Sequence, residues 1–161
     1  QHICTPTRVV CVLAYTPRTA HNATVCVRIH RYSTSMIHKP KDVLQALKKY
    51  KKQNDELVIC FFLDDTHSVL AIQEYTALKF IQLNLADIFV PALHAYAKAV
   101  VIAQVKTQLK GEYVPTKKEK MLTGAIVKAG CFLGITCVDH SVMRQSQYYS
   151  FHESNVLTYC A

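Results

Sequence analysis

The segment ELVICFFLDD, Glu56 to Asp65, carries seven consecutive apolar residues between its charged ends. A strand turns successive side chains to opposite faces, so an unbroken apolar run must be covered on both sides. A sheet with one wet face cannot hold it. A second run, SVLAIQEYTAL from Ser68 to Leu78, follows after a short polar break, and the two read as a strand pair. A third, AVVIA from Ala99 to Ala103, is entered directly from LADIFVPALHAYAK, whose Ile88, Phe89, Leu93 and Tyr96 fall on one helical stripe despite Pro91. A helix feeding a buried strand is half of a crossover unit, and it supplies the helical layer that such strands require.

The remaining elements follow from local signals. RVVCVLAY (Arg8 to Tyr15) and TVCVRIHRY (Thr24 to Tyr32) read as strands, the second alternating Val25, Val27 and Ile29 with Cys26, Arg28 and His30 so that one face is wet. Pro40 opens a helix, KPKDVLQALKKYKKQ, that keeps Val43, Leu44, Leu47 and Tyr50 at helical spacing with lysines on the other side. Thr116 with Glu119 three residues on forms a capping box ahead of KMLTGAIVKAGCFL, a third helix whose end is surrounded by Gly130 and Gly134. GITCVDHSVM and QYYSFHES close the chain as two strands. The fold class is α/β, a mixed sheet flanked by helices, in the order strand, helix, strand, strand, helix, strand, helix, strand, strand. The 161 residues fit one domain, expected over residues 23–161 behind an N-terminal strand or extension over residues 1–22.

Charge and cysteine usage bound the function only broadly. Nineteen Lys and Arg against eleven Asp and Glu give a formal charge of +8, which draws phosphate-rich partners at long range. Candidate nucleic-acid contacts are Lys48, Lys49, Lys51 and Lys52 on the first helix and Lys117, Lys118 and Lys120, with Lys128, on the third. The competing reading is a solvated helix face, and since neither strip interleaves aromatics, any DNA or RNA contact would be to the backbone. No apolar run approaches the roughly 18 residues of a membrane span, so no membrane partner is expected. Seven cysteines without a C-x-x-C pair read as buried thiols of a reducing compartment, and the start lacks the layout of a signal peptide, so a cytoplasmic protein is expected. Cys60 and Cys137 are weak candidates for a nucleophile because apolar strands raise a thiol's pKa. His67 and His94 show no metal spacing.

LGITCVDHSVM followed by YYSFHES resembles the closing segment of RadC-like proteins, the bacterial branch of the JAB/MPN (JAMM) superfamily, whose pattern there is Leu-Gly-Ile-x-Val-Leu-Asp-His-x-Ile-Val and then Tyr-x-Ser-Phe-x-Glu. Leu133, Gly134, Ile135, Asp139, His140, Tyr149, Ser150, Phe151 and Glu153 agree with it. The strand pair from Asp55 to Leu78 and the helix and strand from Asp87 to Ala103 are similar to further stretches of the family. The resemblance implies a JAB/MPN-like, cytidine-deaminase-like fold. It also implies where a zinc site would stand, since family members follow the third strand with His-Asn-His-Pro-Ser-Gly and, downstream, Pro-Ser-x-x-Asp. Two histidines and the aspartate would bind zinc, the serine would support an oxyanion, and a glutamate on the earlier strand would act as base.

Here Gln104 and Lys106 stand for the histidines, Thr116 for the serine and Glu119 for the aspartate, while Glu56 keeps the base position. An amide oxygen is a poor zinc ligand and a protonated amine repels a dication, and without a metal Glu56 has no activated water to deprotonate. The expectation is therefore no metal and no cofactor, with Glu56, Thr116 and Glu119 as inactive remnants and Lys106 paired with Glu56 or Glu119. Helix capping accounts equally for Thr116 and Glu119, and His140 reads as a structural histidine. The function expected is a non-catalytic RadC-like JAB domain acting through a protein partner or as a homo-oligomer, with weak backbone binding of nucleic acid as an addition. The alternatives are a zinc-dependent JAB-type metallopeptidase or isopeptidase with displaced ligands, and a nucleic-acid-binding protein of the DNA-repair kind historically attached to the family name.

Overall fold

A computed structural model of the chain describes residues 36–47, 57–76, 79–106, 111–144 and 147–157. Residues 1–22, the two strands expected before residue 33, Lys48, Lys49, Lys51, Lys52 and Glu56 lie outside the described residues. Within them the order is α1 (Pro40–Ala46), β1 (Leu57–Leu63), β2 (Val69–Thr76), a 3-10 turn (Phe80–Gln82), α2 (Leu85–His94), β3 (Ala99–Val105), α3 (Lys117–Leu133), β4 (Thr136–Arg144) and β5 (Gln147–Ser150). The strands form one mixed sheet, β2-β1-β3-β4-β5. Only β3 and β4 are parallel, joined by the crossover helix α3.

Every residue of β1 is buried, as its unbroken apolarity demands. Val58, Cys60 and Phe62 point into a core shared with Ile88, Phe89 and Ala92 of α2 and Ile126 and Val127 of α3. Leu57, Ile59, Phe61 and Leu63 point the other way, into a core closed by Ile37 and Val43 beside and within α1. The sheet is thus covered on both faces, with α2 and α3 on one side and α1 on the other.

Three local devices hold these layers. Pro91 lies inside α2 and lacks the N–H that would bond the carbonyl four residues back, which is that of Asp87. The buried Tyr75 hydroxyl donates to that Asp87 carbonyl and replaces the missing donor. Gly134 ends α3 in the left-handed conformation, φ 68°. The buried Asp139 carboxylate accepts from Ser141 Oγ at 2.6 Å, Ser150 Oγ at 2.9 Å and the His152 amide at 3.0 Å, fastening the turn after β5 to the middle of β4. This is the structural content of the Asp-His and Ser-Phe pairs in the closing motif.

Two expectations need correction. The apolar stripe of α2 does not include Leu93 and Tyr96. The helix stops at His94, Tyr96 turns with φ 55°, and its side chain is 87% exposed, because the chain must reverse within four residues to enter β3. β3 does not stop at Ala103 either, since Gln104 and Val105 continue the ladder against Val58 and Leu57 of β1. The cysteines divide. Cys60 and Cys137 are buried free thiols, and burial above all pushes Cys137 up to about 12. Cys131 is on the exposed side of α3 and is disulfide-bonded, so reading all seven as buried thiols fails there. Among the described residues no helix is long and apolar enough to cross a membrane.

If the Tyr75 hydroxyl stands in for the amide that Pro91 lacks, Tyr75→Phe will lower unfolding stability by about 1–3 kcal/mol. In a Pro91→Ala background the same replacement will cost measurably less, because an alanine N–H can reach the Asp87 carbonyl. Urea titrations of the four proteins check this, and equal costs in both backgrounds would reject it.

Candidate functional site

The site is set by parity along two adjacent parallel strands. On β3, Gln104 points to the α2/α3 face with Val100 and Ile102. Lys106 follows two residues later, its amide donating to the Met143 carbonyl at 3.0 Å. On β4 the register to β3 skips one residue, Val100 opposing Cys137 and Val101 opposing Asp139. Val138 is the extra residue of this bulge. It shifts parity, so that Asp139 goes to the α1 face and His140 to the same face as Gln104.

α3 supplies the carboxylate. Thr116 is its N-cap, the hydroxyl accepting from the Glu119 amide at 3.2 Å while donating to Glu119 Oε2 at 2.9 Å, with the Thr116 amide on the same oxygen at 2.8 Å. Both halves of the expected capping box are present. The second oxygen, Oε1, is left to face the sheet, where Lys106 Nζ lies 2.9 Å away and Gln104 Nε2 3.4 Å away. Of the two carboxylates proposed as partners for Lys106, Glu119 is paired with it, and Glu56 lies outside the described residues. The pair is largely removed from water, the Lys106 side chain being 19% and that of Glu119 4% exposed. Lys106 also lies over the Tyr113 ring, 5.1 Å from its centroid.

His140 completes the cluster; by sequence it reads as a structural histidine of a closing strand, and as a ligand only if partners stand beside it. It is fully buried, with Nε2 2.8 Å from Gln104 Nε2 and Nδ1 2.8 Å from Thr123 Oγ1. The Thr123 hydroxyl spends its proton on the Glu119 carbonyl at 2.7 Å, so toward the ring it can only accept. Nδ1 therefore carries the hydrogen, Nε2 is bare, and the Gln104 amide donates to it. Phe151 stacks on the imidazole at 4.2 Å and Phe80 lies against it at 4.3 Å. Burial lowers the His140 pKa, Glu119 pulls it up, Lys106 pushes it down, and it settles at about 3. For Glu119, burial raises the pKa, but the bonds from Lys106 and from the Thr116 amide and hydroxyl outweigh it and hold it at about 2.

The structure thus brings Gln104, Lys106, Thr116 and Glu119 together, adding His140, Thr123 and Tyr113. Lys117, Lys118 and Lys120 are exposed on the first turns of α3, outside the cluster. The donor set of this cluster does not fit zinc: the bare His140 nitrogen is already taken by Gln104, and the Glu119 oxygen that faces the sheet is taken by an ammonium. Among the described residues no group of three His, Cys, Asp or Glu side chains converges to hold a metal ion.

Comparison with known proteins identifies the family. A family model described as RadC-like JAB domain matches residues 37–156. The chain belongs to the RadC-like JAB domain family. It is 25% identical to a UPF0758 protein of Alkaliphilus metalliredigens over 136 residues, 81% of this chain and 55% of the relative, and 27% identical to one of Aquifex aeolicus over 124 residues, 75% and 52%. A UPF0758 protein of Thermotoga maritima is 32% identical over a shorter 71 residues, 44% of this chain and 31% of the relative. The chain matches between about a third and a little over half of the length of these curated relatives.

The two depressed pKa values make stability depend on pH in separate windows. Unfolded His140 takes a proton near pH 6.5 while the folded ring stays neutral to about 3, so its contribution is complete above pH 6.5 and is lost as pH falls toward 3. Glu119, ordinarily near 4.5 and here about 2, contributes above pH 4.5 and loses that contribution between 4.5 and 2. Urea midpoints of the wild type should fall between pH 6.5 and 4.5 with a slope of up to about 1.4 kcal/mol per pH unit that is absent from His140→Gln. Identical slopes in the two proteins would show that the imidazole is not held neutral.

Proposed function

We propose that this RadC-like JAB domain is non-catalytic and works by binding a protein partner or a second copy of itself, with a lysine ammonium holding the place of the metal. The observation that carries the reading is the 2.9 Å contact between Lys106 Nζ and Glu119 Oε1 at two of the three positions where the resemblance sets zinc ligands. Zinc catalysis needs three protein ligands and one open position for water. An ammonium bonded to the remaining carboxylate offers neither. General acid or base work needs a group with a pKa near the operating pH, and Glu119 at about 2 and His140 at about 3 are both far from neutrality. Glu56 keeps the base position by sequence and lies outside the described residues.

Elemental analysis of the dialysed wild type is expected to find far less than one zinc per chain, with its mass in solution that of a dimer or a partner-bound complex. The double variant Gln104→His and Lys106→His, which restores two imidazoles beside Glu119, is expected to gain zinc. Stoichiometric zinc on the wild type, or hydrolysis that chelators abolish and Glu56→Ala removes, would instead establish the metallopeptidase reading.

A second reading, nucleic-acid backbone binding, draws on Lys117, Lys118 and Lys120, which are exposed on α3 and have no carboxylate partner among the described residues. Affinity for a duplex DNA fragment should then fall steeply with salt, the slope dropping by about one for each lysine replaced that contacts phosphate. A flat salt response, or no binding near 50 mM salt, would reject it.

A further inference from the structure

A cleft of about 440 Å³ opens beside the cluster, between the segment that precedes α3 and the far end of the β4–β5 hairpin. Its walls include Glu112, Tyr113, Val142, Arg144, Gln147 and Tyr149. Register explains the grouping. Val142 pairs with Tyr149 and Arg144 with Gln147, so alternate residues of the two strands present one face, and Tyr113 stands against Tyr149 edge to face at 5.2 Å. The volume suits a small molecule or one large side chain.

The lining has two chemistries. The aromatic wall is anchored from behind: Tyr149 packs edge to face on Phe151 at 5.4 Å, and Tyr113 lies beneath the Lys106 ammonium. The half-buried Tyr113 ring is held between Tyr149 and the Lys106 ammonium. Among the described residues Arg144, at the other end, makes one hydrogen bond, from Nη1 to the Gly111 carbonyl at 2.5 Å, and no ion pair. Toward the described residues, four of the five donors of the guanidinium remain for a ligand. That first bond orients the group, and guanidinium forks match carboxylate and phosphate oxygens. Glu112 shares the lining, which disfavours a polyanion.

We infer that this cleft binds a ligand joining an aromatic ring to a single anionic group, the ring against Tyr113 and Tyr149 and the anion on Arg144. A carboxylate and a phosphate monoester share that chemistry, and neither requires a metal, so the inference stands whether or not the zinc reading of the neighbouring cluster holds.

The test is a titration of the 161-residue chain, followed by amide and arginine side-chain NMR signals, with four probes: N-acetylphenylalanine, phenyl phosphate, the neutral N-acetylphenylalanine amide, and acetate. Both aromatic anions are expected to shift Tyr113, Arg144 and Tyr149. The amide should bind about ten-fold more weakly, and acetate should be weaker again. Arg144→Gln should bring the anions down to the affinity of the amide. Tighter binding of phenyl phosphate or of the carboxylate names the source of the anion, and either order supports the inference. An amide as tight as the acid, acetate as tight as the aromatic acids, or no shifts at these three residues overturns it. If Arg144→Gln loses the Gly111 contact and fails to fold, the four-probe series on the unaltered chain still decides.

Discussion

The carboxylate of Glu119 is the point on which the site depends, because its two oxygens serve two elements at once. Oε2 is held by the Thr116 amide and hydroxyl and closes the first turn of α3, while Oε1 reaches the sheet and meets Lys106. The helix start and the strand end are thereby joined through one side chain. A capping residue on its own would be worth about 1 kcal/mol. Burial changes the stakes, since removing either charge would leave the other desolvated and unpaired, a much larger cost than the net worth of the pair. The arrangement is better understood as fixing one geometry than as adding stability.

Parity is the second constraint. Were β4 regular, His140 would fall on the α1 face and Asp139 on the site face. One extra residue at Val138 exchanges them. The exchange puts the carboxylate among Ser141, Ser150 and the His152 amide, where three donors await it, and the imidazole between Gln104 and Thr123, which take its two nitrogens in the only order that the Thr123 hydroxyl permits. A bulge near a functional site often re-aims a side chain, and here it re-aims two in opposite directions.

Much of this was legible in the sequence. The apolar run of β1 required a sheet covered twice, Thr116 with Glu119 gave the start of α3, and the closing motif named the family. The membership of the site was legible only in part. Gln104, Lys106, Thr116 and Glu119 came from matching the family's zinc motif; His140 was matched only within the closing motif, and its face was hidden because a bulge is invisible to a period-two reading and moves every later residue of its strand to the opposite face, while Thr123 carries no motif of its own. Tyr113 lies in a loop that no periodicity describes. The apolar stripe of α2 failed at Leu93 and Tyr96 for a related reason: spacing says which residues share a helical face, not where the helix stops. Glu56 and the lysines of the first helix fall outside the described residues, so their sequence reading stands as an expectation.

On the proposed reading, the substitution of an ammonium for a metal is a trade of chemistry for geometry. Both present positive charge to the same carboxylate, so the first turn of α3 can keep its place against β3 either way. They differ in what else they can do. A divalent ion holds several ligands and can bind and acidify a water. A lysine ammonium has three donors and no acceptor, and it is tethered by its own stem to the strand. Once Oε1 and the Tyr113 face have engaged it, and Gln104 has taken the bare nitrogen of His140, the groups that face one another in the cluster have partners from the chain itself. On this reading the chemistry left open to an outside ligand is that of Arg144 in the neighbouring cleft, not that of the former ligand positions.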